Sequence, residues 1–211
     1  AIAVTNRPGL IGSLLVGVAL AKSIAYCNDF PLIGVNHIEG HLYANFLEHD
    51  EISFPHLCLT VSGGHTQLVL VESHYGRGEY ELIGFTQDDA AGEAFDKISQ
   101  YLGLGFPGGP IIDKLSRKGN NTAVIFPRPL INSSNLNFSF SGLKTAVKYF
   151  VMENKKSNSL PPVEDIAASF QSAVVDVLVA KTIQAVKKTN VKSILLTGGV
   201  AANTALRKAM L

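Results

Sequence analysis

The sequence has no tryptophan, two methionines and two cysteines. Cys27 and Cys58 lie far apart and form no C-x-x-C pair, so the simpler reading is a reduced, intracellular chain. No charge of either sign dominates: 18 Lys and Arg face 17 Asp and Glu, a net charge of +1. A uniformly basic nucleic-acid binder is therefore not indicated. The local pairs Arg117/Lys118, Lys155/Lys156 and Lys187/Lys188 read as solvated faces. Long apolar runs are also missing. The run Leu10 to Ala21 contains Gly and Ser, stops at Lys22, and is too short to span a bilayer. No signal peptide and no short internal repeat is visible.

What is present is a core. Hydrophobic residues make up 46% of the chain and charged residues 17%, a globular balance. Nineteen glycines, several in pairs, suggest pockets lined by backbone. Both ends read as interrupted. Ala1 to Val4 looks like a buried strand already under way, and the last residues look like an unfinished helix. The sequence is expected to be an internal piece of a longer protein.

Strand, mostly buried helix (10–26), strand (32–35) and helix (37–47) follow in order, which favours a parallel or mixed α/β sheet. A hairpin is expected from 57 to 72, turning at Gly63-Gly64, and a third strand from Tyr80 after Tyr75-Gly76-Arg77-Gly78. Asp88-Asp89 precede a helix over 92–102, where carboxylates suit the N-terminal dipole. A short helix spans 111–118, and an irregular polar stretch covers 120–137. Ser141 is placed to cap the next helix. A long amphipathic helix spans 164–188, and a buried strand over 191–197 ends at Gly198-Gly199. Two halves are expected, 1–115 and 116–211.

Three constellations can carry chemistry. In Asn36-His37-Ile38-Glu39-Gly40-His41, the i, i+4 spacing puts both imidazoles on one helix face, as a transition-metal site needs. Glu39 follows His37 by two positions and points nearly opposite, which argues against an H-E-x-x-H protease. Thr60-Val61-Ser62-Gly63-Gly64 and Thr197-Gly198-Gly199…Asn203 each run from a strand into paired glycines, where backbone N–H groups can meet an anionic oxygen. Asp96, Gly108-Gly109-Pro110 and Asp113 form the third set, with Asp96 a candidate for ribose hydroxyls.

In order, the chain contains Asn-His-Ile-Glu-Gly-His (36–41), Val-Ser-Gly-Gly-His-Thr (61–66) and Asp-Asp-Ala-Ala-Gly-Glu-Ala-Phe-Asp-Lys (88–97). Pro-Gly-Gly-Pro (107–110), Phe-Ser-Phe-Ser-Gly-Leu-Lys (138–144) and Thr-Gly-Gly-Val-Ala-Ala-Asn (197–203) follow. Together they resemble the tRNA N6-adenosine threonylcarbamoyltransferase family of bacteria and organelles. The resemblance implies an α/β, two-domain, actin-like fold shared with sugar kinases and Hsp70, incomplete here. It implies transfer of threonylcarbamoyl from its adenylate to N6 of adenosine 37 in tRNAs reading ANN codons, with release of AMP. His37 and His41 would ligate one Fe(2+) or Zn(2+) per subunit, the third ligand being an aspartate beyond this chain. Thr60, Val61, Ser62, Gly63 and Gly64 would line the substrate, and Asp96, Gly109, Asp113 and Asn203 would contact its nucleoside side. The implied partners are tRNA, plus a paralogue and an ATPase in bacteria or a second copy in mitochondria. No membrane is implied, and the implied place is the cytoplasm or the mitochondrial matrix. Read from the residues alone, another actin-like ATPase or phosphotransferase, or a nucleotide-binding scaffold, remains as the alternative. The chain by itself is expected to bind metal weakly and to have little transferase activity.

Overall fold

The computed structural model describes residues 1–49, 51–73 and 80–211. The Tyr75 to Gly78 connection lies outside the described residues. The chain divides into two compact units, Ala1–Glu51 and Ile52–Leu211.

In the first unit, β1 (Ile2–Arg7), α1 (Ile11–Cys27), β2 (Leu32–Asn36) and α2 (His37–Ala44) follow one another, and a 3-10 turn (Asn45–Leu47) ends the series. β1 and β2 pair in parallel, with Val4 opposite Gly34. The helix between them is the connection that a parallel pair requires. The expectation that β1 and α1 are buried is not met. Only Ala21 and Ala25 of α1 are buried, whereas Ile11 and Val16 are 77% and 72% exposed. A two-stranded sheet offers one narrow apolar face, and a helix that is apolar all round cannot hide against it.

The second unit is a mixed sheet covered by helices. β3 (His56–Val61), β4 (Thr66–Val71), β5 (Tyr80–Phe85) and β6 (Ser193–Thr197) lie in the order β5-β4-β3-β6. β3 runs antiparallel to β4 and parallel to β6. Every residue of β3 is buried, as a central strand covered on both faces should be. The helices are α3 (Ala91–Tyr101), α4 (Gly108–Ser116), α5 (Ser141–Lys156), α6 (Val163–Thr189) and α7 (Thr204–Met210). α6 is long and apolar enough to cross a membrane, but 72% of its most apolar window is buried inside the protein. It is the spine of the core, and Phe170 meets Phe95 of α3 edge to face at 5.2 Å. The division expected near residue 115 does not coincide with the two units. β3 and β6 pair across it, and α4 packs on α6.

Asp88 and Asp89 precede α3 as expected but make no cap bond to it, its N-cap being Ala90. Their side chains serve α5. Asp88 accepts from the Ser139 hydroxyl at 2.5 Å and from the N–H groups of Phe140 and Ser141 at 2.8 and 3.2 Å. Asp89 pairs with Lys144 one turn into α5. Ser141 is thus the first residue of that helix, not its cap. A sequence pattern cannot show a cap supplied from 52 residues away. The irregular stretch behaves as expected and is pinned by fully buried Lys181. The ammonium of Lys181 donates to the Ser133 carbonyl (3.0 Å), the Ser133 hydroxyl (2.8 Å) and the Asn135 carbonyl (2.7 Å). Burial, with the nearby Lys188 charge, holds its pKa below the usual lysine value.

Candidate functional site

One cleft of about 420 Å³ in the second unit gathers the glycine-bearing turns. Gly63 comes from the β3–β4 turn, and Gly92, Phe95 and Asp96 come from the start of α3. Pro107, Gly109, Pro110, Asp113 and Arg117 come from α4 and its approach. Gly199, Val200, Ala202 and Asn203 follow β6.

Close backbone approach explains two of the glycines. A Cβ on Gly92 would lie 2.5 Å from the Ser62 carbonyl oxygen, to which the Gly92 N–H donates at 3.2 Å. Gly198 has φ +94°, and a Cβ there would run into the Val61 carbonyl. Gly109 is different, because its Cβ would meet nothing within 4 Å.

The polar residues of the cleft are held before any ligand arrives. Asp96 accepts the Gly108 N–H at 2.7 Å and so caps α4. α4 therefore begins at Gly108, three residues before the expected start. Asp113 accepts the Thr204 N–H at 3.1 Å and the Thr204 hydroxyl at 2.7 Å, and it pairs with Arg117 at 2.8 Å. Burial by itself would raise the Asp113 pKa, but hydrogen bonds from Arg117 and Thr204 and the Arg117 charge together hold it below the ordinary value of 3.8. Asn203 caps α7 by accepting the Leu206 N–H at 2.9 Å, and its amide donates to Gln171 at 2.6 Å. The helix expected directly after Gly198-Gly199 is a 3-10 turn (Gly199–Ala202), with α7 beginning at Thr204.

Of the expected substrate residues, Gly63, Asp96, Gly109, Asp113 and Asn203 meet in this cleft. Thr60 and Val61 are buried within β3. Ser62 is half-buried, and its hydroxyl oxygen closes its own turn by accepting the His65 N–H at 3.0 Å. Gly64 lies in the same turn as Gly63. Arg117, expected on a solvated face, is exposed and also lines the cleft. Its i, i+4 spacing from Asp113 was the available signal. Gly92, Phe95, Pro107, Val200 and Ala202 line the cleft too, although the sequence assigns them no role, and their contributions are walls and close approach.

The histidine pair belongs to the first unit. The Asn36 side chain accepts the Ile38 N–H at 2.9 Å and starts α2 directly after β2. One turn apart, the His37 and His41 rings sit with centroids 4.5 Å apart at 65°. That spacing suits two imidazole donors to one ion. Among the described residues, no group of three or more His, Cys, Asp or Glu is placed to hold a metal.

A mixed sheet in this order, with glycine turns meeting in a cleft, defines an actin-like ATPase fold. Two solved structures are similar at that level. The activator of the 2-hydroxyisocaproyl-CoA dehydratase from Clostridium difficile matches with a TM-score of 0.53 and 16% identity, over 86% of this chain and 58% of its own. Component A of the Acidaminococcus fermentans (R)-2-hydroxyglutaryl-CoA dehydratase matches with a TM-score of 0.50 and 16% identity, over 86% and 59%. These likenesses show the fold alone. The family is shown by sequence. Residues 1–211 match the family described as TsaD, tRNA N6-adenosine threonylcarbamoyltransferase, and the chain belongs to it. Proteins of that description from Thermosipho africanus and Clostridioides difficile are 55% and 53% identical over 98% of this chain. The chain spans 61% and 60% of the length of those relatives.

Proposed function

We propose that the full protein transfers a threonylcarbamoyl group from threonylcarbamoyl-adenylate to N6 of adenosine 37 in tRNAs reading ANN codons. The observation that carries this reading is the cleft itself. Its walls are three glycine-bearing turns far apart in sequence, with carboxylates already held in place by Gly108, Thr204 and Arg117. In the transfer, the N6 amine attacks the carbamoyl carbon, the bond from that carbon to the phosphate oxygen breaks, and AMP leaves with the electron pair. The amine proton passes to solvent. Backbone N–H groups at the Gly63 and Gly199 turns suit the phosphate. Asp96 and Asp113 suit the ribose hydroxyls, and Asn203 lines the same cleft. Holding the adenylate against a weak amine nucleophile is the main work this cleft can do. The target base has to leave its stack to reach it.

His37 and His41 would hold one iron or zinc ion. Their ring spacing and helical face fit two ligands, and the ion needs more than these two. When bound, such an ion would supply Lewis-acid chemistry. The cytoplasm is the place proposed. A paralogue and an ATPase are the proposed partners of a bacterial member, and a second copy that of a mitochondrial one. The test is AMP release by the full-length protein from synthetic threonylcarbamoyl-adenylate, with any partners and metal supplied. Release should require tRNA bearing adenosine 37 and stop when guanosine replaces it. Equal release without tRNA would favour a hydrolase in the same cleft.

A further inference from the structure

The cleft presents an adenine base with almost nothing flat to lie on. Among the described residues lining it, Phe95 is the one aromatic, and it is 1% exposed and packed on Phe170. The Asn203 amide is buried and committed to Leu206 and Gln171. Arg117 is the lining side chain that combines a planar π group with exposure. Its side chain is 60% exposed, and Asp113 fixes the guanidinium through one nitrogen at 2.8 Å. A guanidinium held by one edge keeps its face open, and arginine stacks well on aromatic rings. Its charge is already matched by Asp113, which weakens its pull on a phosphate. The anion-binding task is better met by the N–H groups of the glycine turns.

We propose that Arg117 is a specificity-determining residue that stacks on the purine base of the bound adenylate. This rests on the reading that the cleft holds an adenylate. Arg117 thus selects for a nucleotide with an aromatic base, and Asp113 sets the plane against which the base lies. Lysine cannot replace it, because an ammonium keeps the ion pair with Asp113 but has no face.

The test compares AMP with ribose 5-phosphate, which carries the same sugar and phosphate without the base. Binding of each to the full-length protein is measured by calorimetry for wild type, Arg117→Lys and Arg117→Ala. The exposure of Arg117 makes folding of both variants checkable by their melting temperatures. The expected result is AMP binding weakened about 2- to 5-fold in both variants, as loss of one exposed guanidinium-on-ring stacking contact implies. Ribose 5-phosphate binding should stay unchanged in Arg117→Lys. Equal weakening of both ligands in Arg117→Lys would make Arg117 a phosphate contact and overturn the proposal. Unchanged AMP binding in Arg117→Lys would overturn it as well. Wild-type protein that binds neither ligand would remove the adenylate reading itself, an outcome separate from the other two.

Discussion

Two glycines occupy the same position in their helices, and the structure assigns them opposite responses to one methyl group. Gly92 and Gly109 are each the second residue of a helix, α3 and α4, and both line the cleft. In Gly92→Ala the new Cβ would lie 2.5 Å from the Ser62 oxygen, 2.7 Å from the Ser62 carbonyl carbon and 2.8 Å from the Gly63 Cα. All three are backbone atoms, so no rotamer change relieves the clash. Overpacking of this kind costs about 1–3 kcal/mol, against a gain of about 0.5–1 kcal/mol for replacing glycine within a helix. The net loss is about 1–2 kcal/mol, because rigid neighbours push the cost toward its upper end. Gly109→Ala meets nothing within 4 Å and keeps only the gain. Thermal unfolding of the full-length variants should separate them by several degrees, at about 2–4 °C per kcal/mol for a domain of this size. AMP binding should fall in both, because Gly92→Ala displaces the Gly63 turn and Gly109→Ala puts its methyl into the cleft. A Gly92→Ala protein as stable as Gly109→Ala would refute the close-approach account of the turn.

Other expectations follow from single contacts. Asp96→Ala removes the cap of α4 and should cost about 1 kcal/mol in urea unfolding, with AMP binding weakened as well. Asp113 lends stability because its folded pKa is depressed. That stability is fully present above its unfolded value and is lost as pH falls through the folded value, below about pH 4. Asp113→Asn should flatten the acid limb of the stability curve, and an unchanged limb would rule out this source. Burial pushes the Cys58 thiol up to about 12, whereas Cys27 is exposed. Thiol titration of the native protein should therefore count Cys27 and miss Cys58 until the chain unfolds. His37→Ala and His41→Ala should each lower the metal content of the full-length protein, as read by elemental analysis.

Much of the fold was legible in local pattern. The Gly63-Gly64 hairpin, the α6 spine and the i, i+4 geometry of the histidines each depend on spacing along one stretch of chain. What was hidden depends on contacts distant in sequence. Asp88 and Asp89 suit the dipole of the helix they precede, yet their side chains bond to one some 52 residues later. Asp96 reads as a candidate for ribose hydroxyls and is also a cap for α4. The division at residue 51 was hidden for the same reason, since the β3–β6 pairing joins segments more than a hundred residues apart. Arg117 sat in a charged dipeptide whose usual fate is solvent. Only the fold places it on a cleft wall.

The central claim is tested most directly by mass spectrometry of the nucleosides of unmodified tRNA. The tRNA is incubated with the full-length protein, metal, any partners and threonylcarbamoyl-adenylate carrying a heavy carbon in its carbamoyl group. The account predicts a threonylcarbamoyladenosine peak bearing the label, confined to the anticodon-loop fragment that holds adenosine 37. Labelled adenylate consumed with no labelled nucleoside in that fragment would contradict it.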